Sequence, residues 1–172
     1  MAFSAGAAPA LPPLRIFRRA ATATDTPPAG STLATLAASM PNVPTGAVPD
    51  LSRARRLVAT EGVALYAAPS RDRHTICVGL EPGEAWCSGA FVGGISAQVE
   101  TSHDGIAGRA YGVADDSVTR IDLVLRNRSR LHALLARNGF YTRLPLRPPP
   151  REIVVAHRDG TRAVLRILTL PR

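Results

Sequence analysis

From Gly62 onward the chain holds no apolar pattern for more than about ten residues before Gly, Pro, Asn or Asp interrupts it. Segments that short, closed by residues that accept turn geometry, point to an antiparallel all-β domain rather than a helical bundle. GVALYAAP (62–69) reads as a strand, and HTICVGL (74–80) as a second one with Ile76, Val78 and Leu80 on one face. Glu81-Pro82-Gly83 has turn chemistry, after which EAWCSGAFV (84–92) runs back. Short strands follow at ISAQVET (95–101) and GIAGRAYGV (105–113). VTRIDLVLR alternates Val118, Arg120, Asp122 and Val124 against Thr119, Ile121, Leu123 and Leu125, the second set facing a core.

RLHALLARNGFYTRL (130–144) fits either a helix turn or a strand in its first half. Asn138-Gly139 is a tight-turn pair and Asp159-Gly160, between two apolar stretches, predicts a C-terminal hairpin. PLRPPP (145–150) reads as an extended linker, and SRARRLVA as a turn of helix capped by Asp50 or Ser52. The expected core is Val63, Leu65, Ile76, Val78, Phe91, Val99, Ile121, Leu123, Leu125, Phe140, Val154, Val164 and Ile167. The fold class is therefore mainly β: a small antiparallel sandwich-like domain over 51–172.

Residues 1–50 read as a Pro/Ala/Thr-rich, partly disordered leader. Eight prolines, from Pro9 to Pro49, withhold backbone donors and bias their neighbours toward extended conformations. The exception is 31–40, where Leu33, Leu36, Ala37 and Met40 recur at helical spacing behind a capping Ser31.

The only cysteines are Cys77 and Cys87, with the EPG turn between them. A hairpin turning there opposes them at about 4.5–5.5 Å between Cβ atoms, within reach of disulfide geometry. Such a small loop stabilises by roughly 2–3 kcal/mol in the chain-entropy picture. Two buried thiols, or metal or redox chemistry, are the competing readings. Redox pairs normally sit closer together, and structural zinc needs four ligands where only His74 and His103 are at hand. The disulfide is favoured, and it predicts an extracytoplasmic location; without it the chain is cytoplasmic. No secretory signal is visible in MAFSAGAAPALPPLRIFRR, a conflict that an upstream start codon or a non-standard export route would resolve. No stretch reaches the roughly 18–20 apolar residues that span a bilayer.

The formal charge is +8, with 21 basic residues, all of them arginine. Absence of lysine, alongside abundant Ala, Gly and Pro, reflects GC-rich coding more than selection for phosphate. The excess is concentrated late in the chain, in Arg126, Arg128, Arg130, Arg158, Arg162 and Arg166, with Arg137, Arg143, Arg147 and Arg151 nearby. With Phe140 and Tyr141 these form a candidate nucleic-acid or anionic-surface site; the plainer reading is a solvated strand face. His103-Asp104 invites a catalytic reading, but no serine sits in a GxSxG elbow and HDG is ordinary turn composition. Glu81 and Glu84 read as solvated charges at a hairpin tip. GGIS and GIAG lack the strand-loop-helix context of a phosphate cradle. No catalytic residue, metal site or cofactor is expected.

AYGVADDSVTRIDLVL, LLARNGFYTRL, FRRAATATD and LYAAPSRDRHTICVGL, with the second cysteine, carry a resemblance over about residues 14–165. Together they resemble a group of uncharacterised secreted or membrane-tethered β-domain proteins of high-GC Gram-positive bacteria. The resemblance implies a small β domain outside the cytoplasm and brings no catalytic residues. The expectation is a non-enzymatic interaction or scaffolding domain with a protein partner, the alternative being an anion binder that uses the C-terminal arginines.

Overall fold

The computed structural model describes residues 11–12, 14–40, 45–60, 62–100 and 107–167. The chain is mainly β, as its punctuation predicts. A short helix, α1 (Thr32–Ala38), precedes the strands. In chain order these are β1 (Arg55–Thr60), β2 (Val63–Pro69), β3 (Ile76–Glu81), β4 (Ala85–Ser88), β5 (Ile95–Glu100) and β6 (Arg109–Ala114). They continue with β7 (Val118–Leu125), β8 (Arg130–His132), β9 (Leu134–Ala136), β10 (Gly139–Arg143), β11 (Pro150–His157) and β12 (Arg162–Arg166). All pairings among them are antiparallel, in three four-stranded sheets ordered β1-β2-β3-β4, β5-β6-β10-β9 and β12-β11-β7-β8.

The sheets stack as a sandwich of three layers, with the second sheet in the middle. Strand alternation gives that sheet two apolar faces. Tyr111, Val113 and Tyr141 pack with Leu57, Val58, Leu65, Ile76, Val78 and Leu80 of the first sheet. Ala110, Ala114 and Phe140 pack instead with Ile121, Leu123, Ile153 and Val155 of the third. Close approach is built in at Gly139, where a Cβ would stand 2.4 Å from Leu57 Cβ. Gly112 does the same within the middle sheet, 2.1 Å from the Ser96 carbonyl.

Residues 14–40 pack against the β domain. They form no core of their own; they lend single side chains to one that exists. Leu14 and Ile16 join the first interface. α1 lays Leu33 and Leu36 over the outer face of the first sheet, on Tyr66, Ala68 and Cys77. Its predicted cap forms, Ser31 Oγ accepting from the Ala34 amide at 3.2 Å. Gly79 beneath lets it approach, since a Cβ there would meet Thr32 Oγ1 at 2.8 Å and Leu33 Cβ at 2.9 Å. Asp25 ties the preceding segment down. It accepts two bonds from the Arg19 guanidinium, two from Thr22 and one from the Arg56 amide.

Several expectations are corrected. The expected turn capped by Asp50 forms, as the 3-10 turn Leu51–Arg53 with the Ser52 amide donating to Asp50 Oδ1 at 3.2 Å, but RRLVAT after it is strand β1. Of the two alternatives left open for 130–136, the strand is the one that forms, bent as it passes from the third sheet to the second. The β9–β10 turn is centred on Arg137-Asn138, both at positive φ (51° and 66°), and Gly139 is already in strand, opposite Ala136. Glu81 is not a free surface charge: it accepts the Thr32 amide and hydroxyl at the start of α1. Proline does not keep Pro150 out of β11, whose first residue it is. Val154 and Val164 are register partners on the outward side of the C-terminal hairpin, Val164 being 58% exposed. Ile153 and Val155 take the inward places.

Candidate anion-binding face and the cysteine pair

α1 covers the outer face of the first sheet, whereas the outer face of the third is open to solvent along Arg120, Arg130, His132, Arg162, Val164 and Arg166. Strand register arranges that face in rows. Arg130, Val124, Glu152 and Arg166 oppose one another across the four strands. The next row is His132, Asp122, Val154 and Val164, and a third runs Arg120, Ala156 and Arg162. Neighbouring strands stand about 4.8 Å apart, so the row from Arg130 to Arg166 spans about 14 Å. Four arginines ring an apolar centre of Val154, Ala156 and Val164. Glu152 is engaged by Arg151 at 2.7 Å.

Asp122 organises one side of this face. It is 4% exposed, on the outward set of β7, and buried by the cations around it. Arg120 Nε donates to Oδ1 at 2.9 Å and His132 Nδ1 lies 2.6 Å from the same oxygen; Arg130 Nη1 is 3.9 Å from Oδ2. Burial works to raise the carboxyl pKa, but the bonds from Arg120 and His132 outweigh it, so Asp122 is held below its ordinary value. Arg120 Nη2 is also within 2.9 Å of His132 Nδ1 and 3.3 Å of Nε2. Both nitrogens that close place the guanidinium against the ring. The single Nδ1 proton goes to the ionised carboxylate, which can only accept. A depression of about 110 Å³ beside Asp122 is bounded by Arg120, Arg130, Val154, Ala156 and Arg162.

The six arginines singled out from sequence do not form one site. Arg130, Arg162 and Arg166 share the open face. Arg126 and Arg128 lie at the β7–β8 turn, and Arg158 lies beyond β11, donating through Nη2 to the Asp116 carbonyl at 3.0 Å. Arg120 belongs to the site and was missed. Its signal was the Arg-Ile-Asp spacing in an alternating strand, which puts a cation and an anion side by side on the outward face.

A serine, a histidine and an aspartate also meet, unforeseen, at the β6–β7 turn. Ser117 Oγ is 2.6 Å from Asp115 Oδ1 and 2.8 Å from His157 Nδ1. The carboxylate can only accept, so the hydroxyl proton points to Asp115 and the imidazole N–H donates to the hydroxyl oxygen. A nucleophilic serine needs the opposite wiring, with the imidazole taking its proton and the carboxylate behind the imidazole. The cluster ties turn to turn. His103-Asp104 lies outside the described residues, and among the described residues no cluster of His, Cys, Asp or Glu is arranged to hold a metal ion.

Cys77 and Cys87 are register partners on β3 and β4 with their sulfurs 2.04 Å apart, at disulfide distance. Cys77 is fully buried and packs in the cluster that α1 completes through Leu33 and Leu36. No helix among the described residues is long and apolar enough to cross a membrane. Comparison of the chain with protein-family models, curated proteins and solved structures finds no significant match.

Proposed function

We propose that this chain is a non-enzymatic β domain of an oxidising, extracytoplasmic compartment, acting as an interaction or scaffolding module. The observation that carries the reading is the asymmetry of the stack. One outer sheet face is sealed by a helix from the leader, while the other presents arginines around an exposed valine. The open face is the part of the stack still free to meet a partner, since antiparallel sheets commonly keep one face in water. The cysteine pair supports the compartment, because such a pair stays oxidised outside the reducing cytosol. The sequence resemblance to secreted or tethered β-domain proteins implies the same compartment.

The arginine rows favour an anionic partner as the second reading. Arg162 and Arg166 are tied to β11 through their backbones, but their exposed side chains have no hydrogen bond or ion pair among the described residues, so they are available to an incoming anion. Binding to duplex and single-stranded oligonucleotides and to dextran sulfate, titrated with salt, tests it. Affinity should fall steeply with salt, and R162Q/R166Q should reduce the slope of log K against log salt by about two for duplex DNA. Absence of any salt-sensitive binding removes the anionic reading and leaves the interaction reading to a pull-down with a protein partner.

A further inference from the structure

A second, separate depression opens where the leader crosses the turns at one end of the sheets. The 3-10 turn Arg15–Arg18 lies beside the β6–β7, β9–β10 and β11–β12 turns. Between them is a cleft of about 360 Å³, bounded by Arg15, Asp116, Arg137, Asn138 and Arg158, with the nearly buried Ile16 among them. Its walls are held in place. The Arg15 amide and Asn138 Nδ2 both donate to Asp116 Oδ1, at 2.8 and 2.9 Å. The Ile16 amide donates to Asn138 Oδ1 at 3.1 Å, and Arg158 Nη2 to the Asp116 carbonyl at 3.0 Å.

The charges in the cleft are unbalanced. Arg19, at its edge, is neutralised by Asp25. Arg15, Arg137 and Arg158 then face the single carboxylate of Asp116, and the Arg137 side chain has no hydrogen bond or ion pair among the described residues. Asp116 Oδ1 holds two donors, whereas Oδ2 is met only by Arg15 Nε at 3.7 Å. That is too long for a hydrogen bond and leaves an oxygen able to accept. Guanidinium forks match carboxylate and phosphate, and an open carboxylate oxygen accepts a hydroxyl proton. A neutral sugar would waste the charge; a bare anion would leave Oδ2 unmet and feel its repulsion. The depression is open to solvent, so a ligand there is held from one side by these charges.

We propose that this cleft binds a small polyhydroxylated anion, a sugar bearing a phosphate or a carboxylate, with the anionic group on Arg137 and Arg158 and a hydroxyl on Asp116 Oδ2. The site is independent of the open sheet face. Amide NMR shifts of the full chain, titrated with glucose 6-phosphate, glucuronate, glucose and inorganic phosphate, test it. One or both sugar anions should give saturable shifts at Arg15, Asn138 and Arg158, the tighter of the two identifying the anionic group. Inorganic phosphate and glucose should bind about tenfold more weakly, the factor that one charge-assisted hydrogen bond carries. Arg137→Gln should weaken the sugar anions about tenfold. Asp116→Asn, which can still accept from Arg15 and Asn138, should bring glucose 6-phosphate and phosphate within about twofold of each other. Should Asp116→Asn lose its amide dispersion, the exposed Arg137→Gln decides alone. The proposal is overturned if neither sugar anion gives localised shifts, if phosphate alone binds as tightly as glucose 6-phosphate, or if Arg137→Gln binds as the parent does.

Discussion

Asp25 is 1% exposed and accepts from Arg19, Thr22 and the Arg56 amide. The Arg19 guanidinium leads in holding its carboxyl well below the usual range, against burial, with the Thr22 and Arg56 bonds adding to it. A carboxylate depressed in the native state takes up its proton later than the unfolded chain does. Its stabilisation is therefore complete above the unfolded value, about 3.9, and is lost as pH falls through the lower folded value. Asp25→Asn should cost about 2–3 kcal/mol at pH 7 by urea denaturation. It should also flatten the loss of stability below about pH 4 relative to the parent. The sequence offered only a lone aspartate among threonines and prolines, and its partners come from Arg19 nearby and Arg56 thirty-one residues on. Gly139 teaches the same lesson. Asn-Gly marked a turn, yet the glycine is required by the Leu57 side chain of another sheet.

At the scale of elements, α1 and the β3–β4 hairpin form one unit, because the helix completes the cluster around Cys77. Mass determination after alkylation without reductant should find no free thiol, and two would end the extracytoplasmic reading. Cys77→Ala/Cys87→Ala should lower stability by roughly 2–3 kcal/mol. Leu33→Ala should speed reduction of the pair by dithiothreitol, since it loosens the cover over Cys77. The pairing was legible because EPG closes the hairpin midway between the cysteines; that a helix from the leader seals it was not. β11 shows why inward and outward residues escaped prediction. Ile153, Val154 and Val155 are all apolar, so alternation carries no parity, and only contact with Ile121 and Leu123 selects Ile153 and Val155. β1 was passed over because its first two residues are arginines.

At the scale of the molecule, the central strands of the middle sheet, β6 and β10, are covered on both sides, so they lack the polar alternation that its edge strand β5 keeps. Phe140, fully buried against the third sheet, should cost about 3–5 kcal/mol on truncation to Ala. Val164→Ala on the open face should change stability by no more than about 0.5 kcal/mol. Denaturant unfolding of the two variants side by side checks the layer order. Both candidate binding regions exist only at this scale. The open face joins residues of four strands, and the cleft joins the leader to three turns, so proximity in sequence joined neither.

What the sequence determined by itself is local: most of the strand-length segments, though not β1 or the bent strand over 130–136, the Pro82-Gly83 and Asp159-Gly160 turns, the helix behind Ser31 and the opposition of Cys77 to Cys87. Each rests on backbone preferences and short-range alternation, which neighbouring residues decide among themselves. Tertiary structure alone decided that the sheets stack in three layers, that the leader lends Leu14, Ile16 and Leu33 to existing cores, and which arginines share a surface. Those outcomes depend on which apolar faces exclude water against one another, and that choice is made between segments far apart in the chain.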